Sequence, residues 1–65
     1  MKLKNVKPGV LFSWGDYKCV MVKDEGTKGL VVLDCGHVLW LEDRGFGETL
    51  KPEFLEEGVE IVKEG

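Results

Sequence analysis

The chain has 65 residues, 43% hydrophobic and 32% charged, with twelve acidic against nine basic side chains for a net charge of −3. That length fits one domain over residues 1–65 with a thin core, and the composition is too apolar for a disordered chain. The acidic balance argues against nucleic acid as a partner, since such binders carry a basic patch, and no apolar run approaches the roughly 18 residues of a membrane-spanning helix.

The first segment, residues 2–6, places Leu3 and Val6 on an edge strand or on a loop that packs down. Lys7-Pro8-Gly9 is a turn, because Pro8 fixes φ and Gly9 admits positive φ. Residues 10–14 then read as a strand. Gly15-Asp16 is a two-residue hairpin loop, and residues 17–23 return. Such a loop fixes the register. Trp14 faces Tyr17, Phe12 faces Cys19 and Val10 faces Met21. One face of the hairpin is therefore Val10, Phe12, Trp14, Tyr17, Cys19 and Met21, a core face with an aromatic pair at its end. The opposite face, with Leu11, Ser13, Lys18, Val20 and Val22, is not cleanly polar.

Residues 24–29 form a polar loop with glycines. Residues 30–33 are a β-branched strand, 34–36 a tight turn with Gly36 at the left-handed position, and 37–41 a fourth strand. Nine of the twelve residues from Leu30 to Leu41 are apolar. No alternation is visible, so both faces of this pair need cover. Residues 42–49 read as a loop in which glycines flank Phe46. One helical turn follows Pro52, over 52–57, stopped by Gly58. Residues 59–63 close the chain as a strand, with Val59 and Ile61 on one face.

The sum is all-β: five or six short strands joined by tight turns. The Pro8-Gly9 launch, the hairpin with aromatic ends, the turn after Pro52 and the closing strand resemble a small SH3-like antiparallel barrel. In size and pattern the chain also resembles small β-barrel proteins encoded by phages and other mobile elements. That second resemblance implies a host protein as target and inhibition as the effect.

Cys19, Cys35 and His37 are the first residues that could carry chemistry. If Lys23 opposes Val31, Cys19 falls opposite Cys35. A disulfide is then conceivable, or a metal site with His37 as third ligand. Structural zinc needs four ligands, often in C-x₂₋₄-C spacing, and that pattern is absent, so no metal and no cofactor is expected. A Cys35–His37 pair oriented by Asp34 lacks any surrounding protease signature, so no catalytic residue is assigned. Both thiols read more simply as small apolar side chains.

The candidate binding residues are Trp14, Tyr17, Lys18, Lys28, His37, Trp40, Arg44 and Phe46. Arg44-Gly45-Phe46-Gly47 sets an aromatic beside an arginine on a glycine-rich loop, where it can stack on a base or peptide, or fold onto the barrel. Trp14, Tyr17 and Trp40 can form a stacking platform beside Lys18, Lys28 and Arg44, or belong to the core. The doubly apolar strands carry the strongest signal. Leu11, Val20, Val22 and half of residues 30–41 cannot all lie inside one small barrel. Either Leu3, Val6, Phe54 and Leu55 cover the outer face, or another molecule does.

The expected function is therefore a non-catalytic binding protein that takes a protein partner and self-associates as a homo-oligomer. The alternative is an oligomeric binder, or sponge, of a small anionic nucleotide. A third reading, an enzyme built on Cys35 and His37, has the least behind it. Met1-Lys2-Leu3-Lys4 shows no secretory pattern and the two cysteines suit a reducing compartment, so the expected location is the cytoplasm.

Overall fold

In the computed structural model, which describes residues 1–65, two-residue turns set the register of the first three strands. The strands are β1 (Leu11–Trp14), β2 (Tyr17–Asp24), β3 (Thr27–Val32), β4 (His37–Trp40), β5 (Glu48–Thr49) and β6 (Glu60–Lys63). Two 3₁₀ turns, Leu3–Asn5 and Pro52–Glu56, complete the fold. The sheet order is β5-β4-β3-β2-β1-β6. This is the small all-β class expected, with the helical turn after Pro52 in place. β5 and β6 do not pair with each other, so the barrel is not closed. β5 also runs parallel to β4, a departure from a purely antiparallel sheet.

The first hairpin has the register that its turn dictates, with Phe12 across from Cys19 and Trp14 across from Tyr17. The second hairpin corrects the sequence reading. Residues 24–29 are not a loop, because β3 begins at Thr27 and pairs with Asp24. Glu25 (φ 49°) and Gly26 (φ 83°) both take positive φ, the requirement of a primed two-residue turn. Lys23 therefore opposes Lys28 rather than Val31, and Cys19 opposes Val32 rather than Cys35. Leu33 leaves the strand and lies in the four-residue connection to His37, where Gly36 takes positive φ.

The sheet has two apolar faces. On the inner face, Phe12, Cys19 and Val32 form one cross-strand row, and Met21, Leu30 and Leu39 form the next. Leu3, Val6, Leu41, Leu50 and Val59 complete the buried cluster, with Phe54 and Leu55 packed against it. The N-terminal arm and the second 3₁₀ turn thus cover the inner face. Tyr17 belongs to that face by register but lies past its end, 53% exposed. Ile61 is also exposed, although Val59 is buried. The register shift opposite Leu11 and Phe12 makes Val62 an extra residue in this edge strand.

The arm is clasped to the second 3₁₀ turn. The Leu3 N–H donates to the Glu57 carbonyl at 2.8 Å, and the Val59 N–H to the Met1 carbonyl at 2.7 Å. Lys4 Nζ and Lys2 Nζ meet the two oxygens of Glu56 at 2.9 and 3.2 Å. Hydrogen bonds from Lys4, then Lys2, hold the Glu56 carboxyl below the usual carboxylate range. A depressed folded-state pKa gives stability that is present near neutrality and lost as pH falls through that value. The urea midpoint of the wild type should therefore drop in acid. Glu56→Gln should flatten part of that drop, and identical acid limbs for the two proteins would refute the clasp.

Candidate functional site

Trp40 is the most constrained of the candidate residues. Its cross-strand partner is Gly29. A Cβ on Gly29 would lie 2.6 Å from Trp40 Cε3, so the indole occupies the space a side chain would fill. Gly47 approaches the other end of the ring, where a Cβ would come within 3.1 Å of Nε1. The Arg44 guanidinium stacks on Trp40 at 4.3 Å from the ring centroid and also lies 4.8 Å from that of Phe46. Its nitrogens reach Asp24 Oδ2 at 3.1 Å and Glu25 Oε2 at 3.4 Å. The Arg44 side chain is only 6% exposed.

Arg44 therefore joins the β2–β3 turn to the loop after β4. A planar cation between two rings with carboxylates at its edge is a geometry that arginine satisfies and lysine does not. The loop is further fixed where the Gly45 N–H donates to Asp43 Oδ1 at 2.8 Å. Phe46 keeps one ring face on Arg44 but remains 60% exposed, so it is not folded into the core.

The other aromatics lie elsewhere. Trp14 is on the inner face, edge-on to Phe54 at 5.5 Å, and donates from Nε1 to Glu57 Oε1 at 2.9 Å. Trp40 is on the outer face, in the row of Val22 and Gly29. Five residue steps along β2 separate the Tyr17 row from that row, about 17 Å along the strand. Trp14, Tyr17 and Trp40 thus do not converge on one platform.

Nor do the expected cations form one groove. Lys18 Nζ donates to Ser13 Oγ at 3.1 Å near the first hairpin turn. Lys28 Nζ donates to the carbonyls of Lys4 at 2.7 Å and Val6 at 2.9 Å, so it pins the N-terminal arm. Arg44 already meets two carboxylates.

Cys19 is buried and Cys35 exposed, both as free thiols. Burial pushes the Cys19 thiol above its usual pKa, and Cys35 nearby adds to the effect. His37 Nε2 lies 2.8 Å from Glu48 Oε1. No group of three His, Cys, Asp or Glu side chains is placed to share a metal ion, and no helix is long and apolar enough to cross a membrane. No protein-family model, curated protein or solved structure matches the chain.

What remains is the outer face. Leu11, Val20, Val31 and Val38 are successive cross-strand partners across β1 to β4. All four are half-buried and stand outside the core cluster. Leu33 and Val62, at 51% and 48% exposure, extend the apolar character to its margins. Trp40, with Arg44 laid across it, bounds the row on one side. Sequence reasoning recognised the excess of apolar residues. It did not align them, because the β2–β3 register was unknown.

The Gly29–Trp40 contact can be tested directly. Gly29→Ala forces the indole to move and removes the surface on which Arg44 stacks. Overpacking of this kind costs about 1–3 kcal/mol. A lower urea midpoint and altered tryptophan emission are expected; a variant unchanged in both would mean that Gly29 does not seat the ring.

Proposed function

We propose that this chain is a non-catalytic protein-binding module whose contact surface is the outer face of the sheet, and that in isolation it self-associates through that face. The aligned row Leu11–Val20–Val31–Val38 carries the reading. The sequence offered two covers for it, the N-terminal arm and the turn around Phe54 and Leu55. Both are spent on the inner core. An aliphatic row with no covering element is the feature that marks interaction sites, and a domain this small gains in proportion from a partner's burial. The second occupant is a copy of the same chain, related by a two-fold axis so that row meets row, as two sheets do when they stack about 10 Å apart.

A partner of another kind would be a protein with its own aliphatic surface, competing with the second copy. The resemblance to small phage-encoded proteins makes that partner a host factor and the outcome its inhibition. The nucleotide reading has less behind it, because Arg44 is neutralised and the aromatics are dispersed. The enzyme reading has less still, because His37 turns to Glu48.

Solution mass tests the proposal. The wild type should run above its monomer mass of 7.3 kDa at tens of micromolar. Val31→Lys, at the centre of the row and away from the core cluster, should run as a folded monomer by circular dichroism. A wild type that stays monomeric, or a Val31→Lys variant that associates equally well, sinks the idea.

A further inference from the structure

One concavity lies on the inner side, away from the outer row. It is a groove of about 440 Å³ between the N-terminal arm, the β2–β3 hairpin and the segment after β4. Three lysines line it, Lys4, Lys23 and Lys28, against one acid, Glu42, with Leu41 and Leu55 as the apolar portion. A net positive groove in a protein of charge −3 is a local reversal of sign.

Its chemistry is set by the β2–β3 register. Lys23 and Lys28 are direct cross-strand partners. Like charges placed opposite one another destabilise a ladder. None of the five ion pairs of the chain relieves this one, because they use Lys2, Lys4, His37 and Arg44 only. Lys28 is also held in place. Two of its three ammonium protons go to the Lys4 and Val6 carbonyls. One donor is left over. Burial first, and Lys23 second, pull the Lys28 ammonium below its usual pKa. A cation fixed by the backbone, facing another across a ladder, with an unused donor and no counter-charge, is organised for an anion.

We propose that this groove binds an organic anion, its compact phosphate or carboxylate head between Lys23 and Lys28 and a short apolar body against Leu41 and Leu55. Lys4, occupied by Glu56, contributes field rather than contact. Glu42 at the rim disfavours a second negative group at that end, so the ligand carries its charge on one head.

The test is an amide-shift titration of the isotope-labelled protein with phenyl phosphate, phenylacetate, inorganic phosphate and acetate. Saturable shifts centred on Lys23, Gly26, Lys28 and Leu41 are expected with the two aromatic anions. They should bind about tenfold more tightly than the bare ions, the gain expected from burying a small apolar area. The order of the two aromatic anions identifies the head, tighter phenyl phosphate meaning phosphate and the reverse meaning carboxylate. Lys23→Glu should abolish the shifts and raise the urea midpoint, because it replaces a repulsion with an ion pair. Lys23→Ala should weaken binding without creating that pair. Val31→Lys should leave the titration unchanged, which separates this site from the outer face. The proposal falls if no shift saturates, if bare ions bind as tightly as aromatic ones, or if Lys23→Glu binds like the wild type.

Discussion

The turn at Glu25-Gly26 is the constraint on which the middle of this molecule depends. Side chains alternate along a strand, so a one-residue slip between β2 and β3 would exchange the two faces of everything beyond it. Glu25 is the one non-glycine residue with positive φ. The conformation is uncommon for such a residue, and Arg44 grips the turn through Asp24 and Glu25. Arg44 is in turn seated by Trp40, and Trp40 by Gly29, its cross-strand partner between β3 and β4. Turn, stack and glycine define one another.

The same register divides a sheet with two apolar faces into a covered and an uncovered one. Phe12, Met21 and Leu30 go inward and are closed over by the arm, the second 3₁₀ turn and Val59. The chain has little else with which to cover a second face. Loops of two to four residues join β1 to β4, and the remaining segments are already committed to the core or to the Trp40 stack. These segments make one layer of cover, and it lies over the inner face.

Much of this was legible in the sequence where turn chemistry was local. Gly15-Asp16 fixed the first hairpin, Gly36 the left-handed position before β4, and Pro52 the 3₁₀ turn. The arm was expected to pack down, and Leu3 and Val6 do. The second hairpin was not legible. Its turn begins with glutamate rather than asparagine or glycine, and Thr27 and Lys28 look like loop residues because they extend the ladder beyond the core. That single misplacement hid the Lys23–Lys28 opposition and made a Cys19–Cys35 pairing look possible. Two-residue β5 carries too little pattern to announce itself. The contact of Arg44 with Trp40 and Phe46 was half visible, as an arginine beside an aromatic; its carboxylate partners lie about twenty positions earlier and came together only through the fold.

The unequal burial of the two thiols has a practical consequence. Cys19 is sealed in the core and its thiolate is disfavoured, whereas Cys35 stands exposed at the tip of the β3–β4 hairpin. Alkylating reagents act on accessible thiolate. The natural chain therefore offers one attachment point for a fluorophore or spin label, with no engineered cysteine required. It sits two residues beyond Leu33, at the margin of the uncovered face, where a probe can report what comes to rest on that face without occupying it.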